Sequence, residues 1–257
     1  MEPIVDLFSL PLHAIDRHEV VRRVEAAHAE GRGGWILTPN VELIQQASED
    51  EAIRALYERA DLRVTDGMPI LWLARVAGRP LPDRVAGSDL VWSLAEYAGR
   101  TGQRLFLLGG DEGVAEAAGE VLTKHAPGLV VAGHASPFIA LPPRPEQLAE
   151  IEQVLREAEP DLVYVAFGSP KTEYLIDGLR DAFPETWFLG CGISLSFITG
   201  DVSRAPAWVQ RIGLEWMHRL VQEPRRLARR YLGRNLPFVL RGLVAALRVR
   251  FGSATQI

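Results

Sequence analysis

The sequence predicts an α/β fold with a largely parallel sheet, helices on both of its faces, and a basic helical tail. Three observations carry this expectation. Six short β-branched or aromatic runs recur along the chain, patterns of helical period lie between most of them, and arginines concentrate beyond residue 216. With 257 residues, 47% of them hydrophobic, the chain is long enough to bury a substantial core as one domain or two closely packed lobes.

The first run, Trp35–Thr38, passes into Thr38-Pro39-Asn40, where Asn40 stands in an N-cap position. Ser48 and Glu51 have the spacing of a capping box for the helical pattern that follows. The second run, Leu62–Thr65, is closed by Asp66 and Gly67. By position alone Asp66 is either a general base at a strand end facing a cleft or the cap of a helix beginning at Met68. The third run, Arg104–Leu108, leads into Gly109-Gly110-Asp111-Glu112-Gly113 and a helix running towards His125, so backbone amides there suit a phosphate. The fourth, Leu129–Ala132, is followed by a loop with four prolines between Pro137 and Pro145 and a helix from about Glu146.

The fifth run, Leu162–Phe167, meets a second glycine turn, Gly168-Ser169-Pro170-Lys171-Thr172-Glu173, with Pro170 close to the first turn of a helix. Lys171 is there either a cation for phosphate or a solvated surface residue. Two glycine turns at the carboxyl edge of one sheet predict a diphosphate crevice. The sixth run, Trp187–Gly190, ends at Cys191, the single cysteine, read as a small buried hydrophobe.

From Met217 onward the chain carries nine arginines and one acid, Glu223, whereas residues 1–216 hold a net charge of −13 within a total of −5. Helical patterns at 214–222, 225–233 and 237–250 are separated by Pro224 and Pro237. Residues 1–213 therefore read as the catalytic body and 214–257 as a basic appendage. Arginines interleaved with Leu, Val, Trp, Tyr and Phe suit an anionic bilayer surface, or a helical cap docked on the body; the two readings are compatible. The acidic body is expected to repel nucleic acid. No apolar stretch approaches the ~20 residues of a spanning helix, which predicts a cytoplasmic chain that spans no membrane.

Several chemistries are disfavoured. Asp-x-Asp is absent and the six histidines have no zinc spacing, so no catalytic metal is expected. Neither a Gly-x-Ser-x-Gly elbow nor a Gly-x-x-x-x-Gly-Lys-Ser/Thr loop is present. Leu129–Ala132 ends without the acid that holds a nicotinamide-cofactor ribose.

Taken together, Thr38-Pro39-Asn40, Thr65-Asp66-Gly67, Arg84 to Leu90, Gly168 to Glu173, Arg204-Ala205-Pro206 and Gly213-Leu214-Glu215-Trp216 through Tyr231 resemble the WecG/TagA/CpsF glycosyltransferases over roughly residues 5–240. The resemblance implies a Rossmann-like fold of the GT-E type. It also implies an inverting, metal-independent transfer from a UDP-sugar to a polyprenyl-diphosphate-linked acceptor, without cofactor, at the inner face of a bacterial membrane during cell-surface polysaccharide synthesis. By the same resemblance Asp66 is the base, Thr38, Asn40 and Arg84 lie near the sugar and diphosphate, and Arg219, Arg226 and Arg229 meet the leaving group. Gly109, Gly110, Gly168, Pro170, Lys171, Thr172, Glu173 and Ser196 complete the expected substrate site. Thr172 stands where the family usually has Gln, and Gly192-Ile193-Ser194-Leu195-Ser196 where it often has Gly-Gly-Ala-Phe-Asp. These departures leave the donor open between N-acetylmannosamine and another hexose, with a catalytically inactive binding or scaffolding protein as the alternative. Displacing the tail is expected to expose apolar surface and promote self-association into homo-oligomers.

Overall fold

The structure, a computed structural model, describes residues 4–8 and 10–252, apart from the side chains of Leu7 and Arg226. Six strands form one parallel sheet: β3 (Gly34–Leu37), β4 (Leu62–Arg63), β5 (Arg104–Gly109), β6 (Val130–Ala135), β7 (Leu162–Ala166) and β8 (Trp187–Gly190), in the order β4-β3-β8-β7-β5-β6. All six predicted runs are therefore strands. β4 is shorter than its run, although Val64 still donates its N–H to the Leu37 carbonyl at 2.9 Å, and β6 extends through His134 to Ala135.

Side chains alternate across this sheet. Leu105 and Leu107, Leu162 and Tyr164, and Trp187 and Leu189 point into one core, while Phe106, Leu108, Val163, Val165 and Phe188 point into the other. The first core is completed by α1 (Arg17–Ala29), α5 (Gly87–Thr101), α6 (Val114–His125) and α9 (Ser194–Thr199). The second is completed by α2 (Val41–Glu49), α3 (Glu51–Glu58), α7 (Pro145–Ala158) and α8 (Lys171–Leu179). Burial on both faces explains the near-continuous apolar strand sequences.

A hairpin of β1 (Ile4–Leu7) and β2 (Leu10–His13) precedes the sheet. It lies against β4, where Arg63 donates its backbone N–H to His13 Nδ1 at 3.0 Å and its Nε–H to the Pro11 carbonyl at 2.8 Å. No strand was expected there: Phe8 takes the positive φ of 55° at the turn, a conformation normally announced by Gly or Asn. The expected cap at Ser48 is also corrected. Asp50 caps α3 through Oδ1, and the Ser48 hydroxyl instead donates to the Gln45 carbonyl within α2.

Beyond α4 (Met68–Val76) and α10 (Ala207–Arg211), the tail forms α11 (Glu215–Gln222), α12 (Pro224–Arg230), a π-helical turn (Tyr231–Asn235) and α13 (Leu236–Arg250). Pro224 does open a helix, but Pro237 does not separate two. The π turn, in which the Leu236 N–H donates to the Tyr231 carbonyl, carries the helix through that proline without a break. α13 packs on α4, with Gly242 against Phe8 and Leu73 and the Phe238 ring 4.7 Å from that of Phe8. Arg230 pairs with Glu42 at 3.0 Å and Arg234 with Glu49 at 3.2 Å, fastening the tail to α2. Among the described residues, no helix is long and apolar enough to cross a membrane.

Candidate active site

The chain runs outward from β3 to β4 at one edge and from β5 to β6 at the other, then fills the middle with β7 and β8. Such a reversal opens a crevice at the carboxyl ends of the strands. The tail roofs it, leaving a cavity of about 870 Å³, a size suited to a nucleotide-sized ligand. Thr38, Asp66, Gly110, Ala166 and Gly190, each at or just beyond a strand end, line its floor.

Asn40 faces the cavity and also caps α2, its Oδ1 accepting the N–H groups of Glu42 at 2.9 Å and Leu43 at 3.2 Å. Asp66 has no such capping duty. The N-cap of α4 is Gly67, at φ 124° and without a side-chain cap bond, so the carboxyl of Asp66 turns to the cavity with 29% of its side chain exposed. Burial of the carboxyl pushes its pKa up to about 6; Arg84, 3.9 Å away, opposes the shift, while Glu215 and Asp89 add to it.

Arg84 is held chiefly by other acids. It reaches Glu215 Oε2 at 2.8 Å and Asp89 Oδ2 at 3.3 Å, and donates to Gln210 Oε1 at 3.3 Å. Arg204 bonds the remaining oxygens of the same two acids, Asp89 Oδ1 at 2.7 Å and Glu215 Oε1 at 3.3 Å.

Across the cavity, Gly168, Ser169, Thr172 and Glu173 form its wall. Thr172 Oγ1 and Glu173 Oε2 are buried without a hydrogen-bond partner among the described residues. Burial pushes Glu173 up to about 7, against hydrogen bonds from its own amide and Ser169, and Glu42 adds to the rise. The Ser169 hydroxyl belongs to a half-buried cluster with Gln46 Oε1 at 3.3 Å and the Tyr57 hydroxyl at 3.0 Å.

The tail contributes Arg219 and Arg230 to the cavity, and in both the buried Nε lacks an acceptor among the described residues. Arg219 lies 3.9 Å from Glu223 and 5.7 Å over the Phe197 ring. Unsatisfied guanidinium nitrogens in the same cavity as a raised carboxyl suit a reaction that frees an anion while a hydroxyl loses its proton.

Of the residues expected at the site, the structure brings together Thr38, Asn40, Asp66, Arg84, Gly110, Gly168, Thr172, Glu173, Ser196 and Arg219. Gly109, Pro170, Lys171 and Arg229 lie outside the cavity lining. Gly109, at φ 101°, is needed for crowding instead: a Cβ there would sit 2.7 Å from the Ala166 carbonyl oxygen. Lys171 Nζ sits 5.4 Å over the Phe138 ring, and Arg229 is exposed. Arg226 lies in α12, its side chain outside the described residues.

A sequence model described as "Glycosyl transferase WecG/TagA/CpsF family" matches residues 5–252. The chain belongs to this family and is a glycosyltransferase. It is 31% identical over 200 residues to an N-acetylglucosaminyldiphosphoundecaprenol N-acetyl-beta-D-mannosaminyltransferase of Bacillus spizizenii, covering 78% of this chain and 76% of that protein. A protein of the same name from Bacillus subtilis is 29% identical over 197 residues, 77% of this chain and 75% of its own length.

For this glycosyltransferase, sequence reasoning had Trp216, Arg230 and Tyr231 only within a family motif and did not place them, or Glu42, at the site; the Trp216 and Tyr231 rings meet edge to face at 6.2 Å on the cavity wall. Helical phase offered a signal for Arg230. Within α12 it is rotated by about 100° from Arg229, so one of the two faces the cavity and the other faces solvent.

Proposed function

We propose that this glycosyltransferase moves a hexose-type sugar, N-acetylmannosamine or a relative, from a UDP-sugar to a polyprenyl-diphosphate-linked acceptor, with inversion and without a metal. The observation that carries the reading is Asp66: a raised carboxyl with no capping role, in the same cavity as two arginines with unsatisfied Nε atoms. Asp66 takes the acceptor hydroxyl proton as that oxygen forms its bond to the anomeric carbon. The bond from that carbon to the diphosphate oxygen breaks on the opposite face, and UDP leaves with the electron pair. Arg219 and Arg230, with Arg84 nearby, meet the charge that develops.

The names of the Bacillus relatives support a diphosphoundecaprenol-linked N-acetylglucosamine as acceptor and N-acetylmannosamine as the transferred sugar. Thr172 and Ser196 shape the wall where another hexose would be told apart. A peripheral site on the inner face of the membrane fits the tail. Leu240, Leu243, Val244 and Leu247 are exposed on α13 together with Arg241 and Arg248, an arrangement suited to acyl boundary and lipid phosphate.

The test is UDP release from a panel of UDP-sugars with a short-chain polyprenyl-diphosphate acceptor, for the native chain and for Asp66→Ala. Turnover with one donor, lost in Asp66→Ala while UDP still binds, is expected. UDP binding without turnover of any donor would replace the proposal with an inactive binding protein.

A further inference from the structure

Two arginines and three carboxylates from distant stretches of chain meet beside the cavity. Arg84 precedes α5, Asp89 lies in its first turn, Arg204 precedes α10 and Glu215 opens the tail helix α11. Glu215 bridges Arg84 (2.8 Å) and Arg204 (3.3 Å), and Asp89 bridges the same two (3.3 and 2.7 Å). The four side chains close a ring, with Asp66 outside it at 3.9 Å from Arg84. All five are 15–29% exposed, so solvent screens them only in part.

The ring decides where the Arg84 guanidinium is spent. Its shortest contact goes to the tail, not to Asp66. We propose that Glu215 is a positioning residue that holds Arg84 off Asp66, so that seating the tail on the body leaves Asp66 free to take a proton. This rests on Asp66 being the base. Without Glu215, Arg84 keeps only its longer contacts to Asp89 and Gln210, both at 3.3 Å, and closes on Asp66 to quench it as a base. The other charged residues lining the cavity are Glu42, Asp111, Glu173, Arg219, Glu223 and Arg230. Glu42 is paired with Arg230, and Glu223 lies 3.9 Å from Arg219, so neither acid competes for Arg84.

The experiment is a carboxyl-carbon NMR titration of Asp66 in the full chain, its signal assigned by loss in Asp66→Asn, alongside kcat and KM with the donor and acceptor pair that turns over. In Glu215→Gln the Asp66 midpoint should fall by about one unit and kcat should drop, with KM for the donor within about twofold. Arg204→Gln should move the midpoint up, because Arg204 lowers it in the native ring. This opposite-signed shift keeps the test alive if Glu215→Gln does not fold. An unmoved Asp66 midpoint in Glu215→Gln, or a downward one in Arg204→Gln, would overturn the proposal. Retained turnover in Asp66→Asn would instead remove the base assignment, and the titration would report that separately.

Discussion

Asp66 and Glu173 are both carboxyls pushed above their ordinary range by burial, to about 6 and about 7, and both face the cavity. The folded chain therefore keeps protons that the unfolded chain has released. The stabilisation linked to each group is complete below its ordinary value and is lost as pH rises through the folded one. Glu173→Gln removes that loss. Its Tm should match the native chain near pH 4 and exceed it by several degrees at pH 8, for a gain of about 2 kcal/mol. Calorimetry at the two pH values checks this, and an equal change at both would mean that Glu173 is not the group responsible. For Asp66→Asn the expected pattern is a kcat lower by about 10²- to 10⁴-fold with no loss of thermal stability at pH 8. A residue retained for chemistry, not for folding, gives that combination.

At the scale of elements, α11 and α12 present one stripe to the cavity and another to solvent. Arg230→Ala should weaken UDP binding about tenfold or more in a calorimetric titration, while Arg229→Ala should leave it within about twofold. Equal losses in both would place the diphosphate elsewhere. The same geometry explains what was legible in advance. The six sheet strands could be read because burial on both faces demands continuous apolar runs, and Asp66 and Arg219 because they sit at recognisable boundaries or motifs. The hairpin at Ile4–His13 could not be read, since its turn has Phe8 where a glycine would have announced it. Nor could spacing reveal that Glu215 holds Arg84 from 131 positions away, although both lay in motifs already singled out. Local sequence reports the element a residue belongs to; the partner across the cavity is set by topology.

On the scale of the whole molecule, charge and apolar surface are segregated. An acidic body carries a tail with nine arginines, and the outer face of α13 leaves Leu240, Leu243, Val244 and Leu247 exposed. The native chain should sediment with phosphatidylglycerol vesicles at low salt and be released as salt rises, and Arg241→Gln with Arg248→Gln should weaken binding by about tenfold or more. Salt-independent binding, or none, would count against a lipid-facing tail. Truncation after Asn235 removes the helix that covers Phe8 and Leu73, and sedimentation velocity should then show concentration-dependent self-association.

The π turn at Tyr231–Asn235 joins these surfaces, and its consequence is one of rotational phase. Upstream of it α12 turns Arg230 to the cavity; downstream, Phe238, Gly242 and Ala246 turn to the body. Winding the same residues as an unbroken α-helix, with none taken up in the wider turn, would rotate all of α13 by roughly 100° and shift it by about 1.5 Å. Arg241 would then occupy the place of Gly242, where even a Cβ would lie 2.6 Å from the Phe8 ring and 3.0 Å from Leu73. The extra residue thus works as a fixed phase offset that lets one continuous helix serve two surfaces facing different ways.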